Sequence, residues 1–313
     1  MRAFVTPEDL TGLLHETYGP ERKLRELTRL TGGSTKGVYR LTLDDESTVL
    51  LYRWAADENF WPATSDLDVG PFVPDSGRDG FVRCHAQLRT LGVRVPKIVR
   101  MGADRALVED IRGGTLEALL DSDPPAGHAV LTRLGETLRT MHTHTTSSFP
   151  YPGETPEGFA HQRGLKSLAE AAARDPRIGA LEKELQDALS RRFEAVKPRQ
   201  EYALIHGELG PDHVMVGPAG EPVLIDIEAT MFFDVEWEHA FLELRFGPLY
   251  PQLDPVPLDQ DRLSFYRLVM YLSLVAGPLL MIDGGDFPYP EGMRAIAEDN
   301  IRRTLAELPT ASS

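Results

Sequence analysis

Residues 204–228 read LIHGELGPDHVMVGPAGEPVLIDIE and are the most informative stretch of the chain. Two short polar islands, separated by apolar runs and a turn, contain its acids and imidazoles: His206, Glu208, Asp212, His213, Asp226 and Glu228. Acids and imidazoles that converge between buried strands are typical of a metal and phosphate site. The sequence therefore predicts such a site within residues 204–228.

The apolar pattern around the islands predicts three short strands. Residues 202–205 are typical of a buried strand, residues 213–216 of a second, and residues 223–227 of a third. A turn rich in proline and glycine separates the last two. Since this turn makes the third strand return antiparallel to the second, we expect Asp226 to lie near His213.

Three of these side chains suit the transfer of a phosphoryl group. Asp226 offers the hard oxygen ligand that Mg²⁺ requires, whereas imidazole, as at His213, is a less usual magnesium ligand. Glu208 is placed to accept the proton of a substrate hydroxyl. Kinases use this division of work, with one acid orienting the nucleophile and another on the metal.

The same stretch resembles the signature of the aminoglycoside phosphotransferase family, relatives of protein kinases that include macrolide, choline and fructosamine kinases. The family's catalytic loop usually reads H-G-D-x-x-x-x-N, and its metal-binding strand I-D-F or I-D-W. His206 and Gly207 match this loop, and Asp226 matches the metal aspartate. Glu208 stands where the family has its catalytic aspartate, and His213 where it has asparagine. The spacing is kept while two residue types differ.

The resemblance implies an α+β, two-lobed, protein-kinase-like fold. We expect a small β-rich nucleotide-binding lobe over residues 1–107 and a larger, mainly helical catalytic and substrate-binding lobe over residues 108–313. The implied reaction moves the γ-phosphate of ATP or GTP, with Mg²⁺, to a hydroxyl of a small molecule, for which an aminoglycoside or macrolide antibiotic is a candidate. The candidate site residues in this stretch are Glu208 and His206 for catalysis, and His213, Asp226 and Glu228 for the metal.

In the first lobe, alternation over residues 38–43 and 49–52 predicts a β-hairpin. The preceding Thr31-Gly32-Gly33-Ser34 can bend tightly, so the candidate phosphate contacts here are Gly32, Gly33 and Ser34. In the family, a basic residue on the strand after this loop contacts the phosphates, which makes Arg53 the candidate. Kinase relatives pair that residue with a glutamate on the next helix, but residues 78–91 contain none.

Further along the chain, strands at residues 97–101 and 106–111 lead into a glycine pair, an order that resembles the hinge between kinase lobes. Backbone groups near Glu109 and Ile111 would then receive the nucleobase, and both residues are candidates for the nucleotide site. Relatives also have an aspartate that braces the catalytic loop. Glu238 is its closest match here.

Composition narrows the partners and the compartment. A chain of 313 residues with 42% hydrophobic content can bury the core of two lobes. Its net charge of −15 argues against nucleic acid and favours a cationic small molecule. The apolar run at residues 268–282 contains a Gly-Pro interruption and predicts a buried helix rather than a membrane span. With a single cysteine, Cys84, and no apolar segment at the N-terminus, we expect a cytoplasmic protein.

Two other functions fit the residues. The extra methylene of Glu208 would displace the carboxylate by about an ångström, which can cost roughly 10²-fold in rate. With the helix glutamate also absent, the chain is compatible with a pseudokinase that binds nucleotide or ligand without catalysis. The same acids and histidines would also suit a metal-dependent hydrolase, although a hydrolase leaves the glycine turn and the hinge unexplained.

Overall fold

The computed structural model describes residues 2–31, 33–61, 77–151 and 153–308. Its first lobe is built on a five-stranded antiparallel sheet with the order β1-β2-β3-β5-β4. The strands are β1 (Leu24–Arg29), β2 (Gly37–Leu43), β3 (Thr48–Arg53), β4 (Ile98–Met101) and β5 (Arg105–Glu109). The expected hairpin of β2 and β3 is confirmed.

The two faces of this sheet pack against different parts of the molecule. Tyr39 and Leu41 point to the outer face, where they form a small core with helix α1 (Thr11–Tyr18). Tyr52 points to the inner face, where it packs with helix α2 (Arg78–Thr90) and continues into the core of the second lobe. The alternation of side chains along each strand therefore decides which of them can reach the space between the lobes.

Neither α1 nor β1 follows from the sequence patterns described above. Helix α1 is only eight residues long, and β1 reads LRELTR, in which polar residues obscure the alternation. Both become stable through packing on the outer face of the sheet, which is information that a local pattern does not contain.

The second lobe is mainly helical, as the resemblance implied. Its helices are α3 (Leu116–Ser122), α4 (Pro124–His142), α5 (Pro156–Arg174), α6 (Pro176–Gly179), α7 (Glu182–Ala195), α8 (Val235–Phe246), α9 (Gln260–Asp283) and α10 (Pro290–Ala306). Helix α9 is the centre of this lobe and packs against α5, α7, α8 and α10.

Helix α9 contains the apolar run at residues 268–282, for which the sequence predicts a buried helix. It continues through Gly277 and Pro278 for 24 residues, which is long and apolar enough to cross a membrane. However, 72% of its most apolar window is buried inside the protein. The prediction of a buried core helix is confirmed.

Short strands carry the signature stretch into the second lobe. Strand β7 (Tyr202–Ile205) lies between β10 (Met231–Phe233) and β6 (Thr145–Thr146), and β8 (Val214–Val216) pairs antiparallel with β9 (Pro222–Leu224). The predicted pairing of the second and third strands is confirmed. The third strand ends at Leu224 rather than at residue 227, because Asp226 adopts a left-handed conformation with φ 58°.

One hydrophobic core spans both lobes. It joins Tyr52 and Phe81 of the first lobe to Leu131 on α4 and Leu204 on β7. The expected lobe boundary at residue 107 falls inside β5, which pairs with β3 and β4. We propose that the division follows Glu109, where the sheet ends.

Candidate functional site

A tight loop follows β7 and presents the first island of the signature. Gly207 has φ 92°, and a Cβ there would lie 2.8 Å from the carbonyl oxygen of Ala229. Only glycine fits such a conformation and approach without strain. The loop is braced from below by Glu238 on α8, whose Oε2 accepts hydrogen bonds from the backbone N–H groups of His206 and Gly207.

Glu238 is the brace that the family resemblance predicted. Its side chain is fully buried, and burial raises its pKa to about 7 although the two backbone N–H groups act in the opposite direction. The two hydrogen bonds from the loop satisfy the buried carboxyl group, and the carboxyl group in turn fixes the backbone of the loop.

The His206 side chain is buried and is not exposed at the candidate site. Its ring is fully buried, and Nε2 lies 3.0 Å from the carbonyl oxygen of Ile225, on the segment that leads to Asp226. Burial, and then the neighbouring His213, lower its pKa to about 4, so the ring is neutral at physiological pH. A neutral, buried imidazole that joins two loops positions them. This placement argues against the catalytic role expected for His206.

Glu208 is exposed, although its neighbours Gly207 and Leu209 in the loop are buried. Loss of surrounding water, together with the negative charge of Asp226, raises its pKa above the ordinary value. A carboxylate with a raised pKa accepts a proton more readily. The exposure of Glu208 and its raised pKa are compatible with the proton-accepting role expected for it.

The backbone of Glu208 also fixes the ring of His213. Nδ1 of His213 lies 2.7 Å from the carbonyl oxygen of Glu208. Because a carbonyl oxygen only accepts, Nδ1 carries a proton, so Nε2 is the ring nitrogen left to face another group. That nitrogen lies 3.7 Å from Oδ2 of Asp226.

The separation of His213 and Asp226 is compatible with a shared cation. Ligand atoms about 2.1 Å from Mg²⁺ in a near-octahedral shell lie about 3.0 Å apart when adjacent and about 4.2 Å apart when opposite, and Mg²⁺ commonly takes only one or two protein ligands. The 3.7 Å between Nε2 of His213 and Oδ2 of Asp226 lies between these values, so a small movement of either side chain would complete the pair. Asp226 also adopts a left-handed backbone conformation, which is uncommon for a residue with a side chain and recurs at functional sites.

The metal role expected for Glu228 is less direct. Its side chain is only 13% exposed, against 43% for Asp226, and its Oε1 lies 2.7 Å from Nζ of Lys36. Among the described residues, no group of three or more histidine, cysteine or acidic side chains is arranged to hold a metal. The geometry therefore favours the pair of Asp226 and His213 over a set of three.

Lys36 is the site residue that the sequence patterns missed. It precedes β2, and Nζ lies 2.6 Å from Oδ1 of Asp226. Burial alone would lower the pKa of Lys36, but the carboxylates of Asp226 and Glu228 raise it above the usual value for lysine. The ammonium group of Lys36 in turn holds the pKa of Asp226 well below the usual value for aspartate. Its only signal in the sequence is its position after the glycine pair, in Gly33-Ser34-Thr35-Lys36.

Arg53 does not join this group. It shares the outer face of β3 with Leu51, and its guanidinium binds the backbone oxygen of Ala3 at 2.9 Å and lies within 4 Å of Glu58 and Asp104. Since neighbouring residues of a strand point to opposite faces, Arg53 points away from the cleft whenever Tyr52 points into it. This placement argues against the phosphate contact expected for Arg53.

The structure shows part of the tight turn that was expected at Gly32, Gly33 and Ser34. Gly32 lies outside the described residues. Gly33 permits a tight turn, because a Cβ there would lie 2.4 Å from the carbonyl oxygen of Lys36. The backbone oxygen of Ser34 accepts from Phe60 N–H at 2.8 Å, and its hydroxyl lies 3.3 Å from Nε1 of Trp61. Ser34 is thus held by a neighbouring segment, and Gly33 shapes the turn that delivers Lys36.

At the hinge, the side chain of Glu109 is used within the fold. Arg94 binds both of its oxygens at 2.7 Å, and the backbone N–H of Lys97 donates to it at 3.0 Å. Ile111 is buried where the chain leaves β5. Within the described part of the chain, its backbone makes no hydrogen bond to another backbone group, which leaves Ile111 the better candidate for a nucleobase.

The two-lobed fold, the braced loop and the paired acid and imidazole define a small-molecule kinase with a protein-kinase-like fold. Residues 26–242 match the model of APH, the phosphotransferase enzyme family, and the chain belongs to this family. No curated protein sequence matches the chain.

Solved structures share the fold at low sequence identity. A thermostable mutant of aminoglycoside phosphotransferase APH(4)-Ia is 17% identical, covers 94% of this chain and 98% of its own, and has a TM-score of 0.61. Spectinomycin phosphotransferase APH(9)-Ia, in complex with ADP and spectinomycin, is 13% identical over 97% and 99% of the two chains, with a TM-score of 0.62. A proposed fructosamine-3-kinase from Thermobifida fusca is 21% identical over 96% of this chain and 100% of its own, with a TM-score of 0.52.

Proposed function

We propose that the protein transfers the γ-phosphate of ATP or GTP to a hydroxyl group of a small molecule, in the presence of Mg²⁺. The observation that carries this proposal is one contact. His213 is bound to the backbone of Glu208 and faces Asp226, so a single loop sets the distance between the proton acceptor and the metal pair. Phosphoryl transfer depends mainly on such positioning.

Glu208 would orient the attacking hydroxyl and receive its proton. Asp226 and His213 would hold Mg²⁺, which when bound neutralises charge on the phosphate oxygens. Glu238 and His206 would hold the loop and the metal segment in register, since each binds backbone groups on one or both of them. Ile111 would receive the nucleobase through its backbone.

The acceptor that we propose is a hydroxylated small molecule with positive charge, of which aminoglycoside and macrolide antibiotics are examples. The net charge of −15 supports a cationic partner, and the spectinomycin phosphotransferase relative was solved with its antibiotic bound. An acidic protein surface attracts cations and repels polyanions. A nucleic acid is accordingly a poor fit.

The test incubates purified protein with Mg²⁺ and either ATP or GTP against a panel of hydroxylated antibiotics and cationic metabolites. Mass spectrometry should show at least one acceptor that gains a phosphate group. The Asp226→Asn variant serves as the matched control and should give no product. If no acceptor gains phosphate while the nucleotide still binds, the protein is a nucleotide-binding pseudokinase and the proposed activity fails.

A further inference from the structure

The cation that reaches the acids of the site comes from the turn before β2 and not from β3. Lys36 is 6% exposed, and its ammonium group lies 2.6 Å from Asp226 and 2.7 Å from Glu228. One buried ammonium group thus joins the metal aspartate to a second acid. No other lysine side chain in the described residues forms an ion pair with either acid.

The end of β3 explains why a cation is needed from elsewhere. The position that faces the cleft there is Tyr52, which is 5% exposed and packs in the core between the lobes. Nζ of Lys36 lies 5.5 Å from the centre of the Tyr52 ring. The phenol ring therefore fills the place from which a strand cation would extend, and Lys36 crosses its face, where the ring attracts positive charge.

The turn before β2 is shaped to deliver this side chain. A Cβ on Gly33 would lie 2.4 Å from the carbonyl oxygen of Lys36, so only glycine lets the turn close this tightly. Gly37 follows Lys36, and a Cβ there would also collide with neighbouring atoms. The Ser34 backbone oxygen is held by Phe60 N–H at 2.8 Å. These contacts direct Lys36 inward, because the turn has little freedom to adopt another shape.

The acid that pairs with this cation also differs in position from the helix glutamate of kinase relatives. Helix α2 contains no glutamate, and its Cys84 instead packs on the turn after Asp226, with Sγ 3.4 Å from the carbonyl oxygen of Thr230. Glu228 belongs to this turn. Its low exposure and its contact with Lys36 give it the surroundings of an anchoring acid, while Asp226 remains open to the cleft.

We propose that Lys36 and Glu228 form a relocated ion pair, in which Lys36 positions the nucleotide phosphates from the turn before β2 and Glu228 anchors Lys36. The proposal rests on the proposed function for its nucleotide. It assigns to the turn a role that relatives give to a strand and a helix. Lys36 would contact the phosphates directly, whereas Glu228 is a positioning residue because it acts through Lys36.

The first experiment compares the binding of ATP and of adenosine, by calorimetry with Mg²⁺ present, in the wild type and in Lys36→Met. We expect ATP affinity to fall by about 10-fold to 100-fold, since a charged hydrogen bond to phosphate is lost. Adenosine affinity should stay unchanged within error, because adenosine has no phosphate. An equal loss for both ligands would overturn the phosphate role, since it would show a structural effect.

Two variants control this result. Lys36→Arg should keep most of the preference for ATP over adenosine, because it retains the charge. Arg53→Met should keep the full preference, because Arg53 faces away from the cleft. A selective loss of ATP binding in Arg53→Met would return the role to the strand and overturn the proposal.

A double variant tests the relocation itself. Tyr52→Lys, made in the Lys36→Met background, places an ammonium group on the cleft face of β3, and we expect it to restore part of the ATP preference. A preference that stays at the level of Lys36→Met would overturn the idea that the two positions serve one phosphate site.

The anchoring role of Glu228 is tested in the wild type and in the Lys36→Met variant. Glu228→Gln should weaken ATP binding less than Lys36→Met does, and it should have no further effect once Lys36 is methionine. A further loss in that background, or a raised Mg²⁺ requirement, would make Glu228 a metal ligand instead. Since all of these measurements read nucleotide binding, they stay valid if the acceptor screen fails, and that failure would count against the proposed activity alone.

Discussion

Nδ1 of His213 lies 2.7 Å from the backbone carbonyl oxygen of Glu208. This contact joins the two positions at which the chain departs from the family's usual loop. The imidazole is held by the same residue that presents the acid to the cleft, so the two departures are linked in space. A histidine here is able both to donate to the loop and to offer Nε2 to a cation, whereas a phenyl ring can do neither.

The His213→Phe variant should therefore require more Mg²⁺ for half-maximal activity, by about 10-fold or more, since it removes a ligand and the hydrogen bond that orients the loop. His213→Asn restores the residue type usual in the family and should shift the requirement much less. The measurement is turnover at a range of Mg²⁺ concentrations. Identical curves for the wild type and His213→Phe would remove His213 from the metal site.

Glu208→Ala should lower kcat by about 10²-fold to 10⁴-fold with little change in the affinity for ATP, because the acid acts on the acceptor hydroxyl. Glu208→Asp should also be impaired, by roughly 10²-fold, since the shorter side chain withdraws the carboxylate by about an ångström from a loop built around glutamate. Steady-state kinetics with both substrates checks this. An aspartate variant faster than the wild type would show that the loop is not adapted to glutamate.

Glu238→Gln should change how stability depends on pH. The folded-state pKa of about 7 lies above the usual 4.5, so the folded protein binds more protons between these values and Glu238 makes the free energy of unfolding fall as pH rises through this window. The resulting decrease in the free energy of unfolding is at most roughly 3 kcal/mol at neutral pH.

Glutamine accepts the same two N–H groups without a charge. Denaturant unfolding at pH 5 and pH 8 should therefore show a relative gain for the variant at the higher pH. Buried neutral histidines such as His206 give the opposite slope, but they are present in both proteins and cancel in the difference. A difference between variant and wild type that does not vary with pH would contradict the raised pKa of Glu238.

Arg262→Met should destabilise the second lobe by about 3–5 kcal/mol, as expected when one partner of a buried ion pair is removed. The Arg262 side chain is 1% exposed, and it binds Asp234, Glu157 and the backbone oxygen of Lys197. The matched control is Arg302→Met, since Arg302 is 69% exposed and its pair with Asp299 should contribute less than about 1 kcal/mol. Equal unfolding midpoints for the two variants would contradict this account.

Sequence patterns predicted the elements whose signals are local. The hairpin of β2 and β3, the pairing of β8 with β9 and the core helix α9 all follow from alternation or from apolar content. The brace from Glu238 followed from the family resemblance. Helix α1 and strand β1 did not follow from the sequence, because they are stabilised by tertiary contacts.

The candidate site shows the same limit at the level of single side chains. Arg53 and Lys36 are both cations near a glycine turn, and only the direction in which β3 presents Tyr52 decides between them. A shift of one residue along a strand reverses the face of a side chain. The resemblance led us to expect a cation near the glycine turn, and the register of β3 favours Lys36 over Arg53 for that position.

The central claim is that the γ-phosphate passes to an acceptor hydroxyl and not to water. The direct measurement follows the reaction by ³¹P NMR in ¹⁸O-labelled water, with ATP, Mg²⁺ and an acceptor found in the screen. We expect a phosphate ester without ¹⁸O that forms in step with ADP and is lost in Glu208→Ala. Inorganic phosphate labelled with ¹⁸O, with no ester formed, would contradict it and would identify a hydrolase.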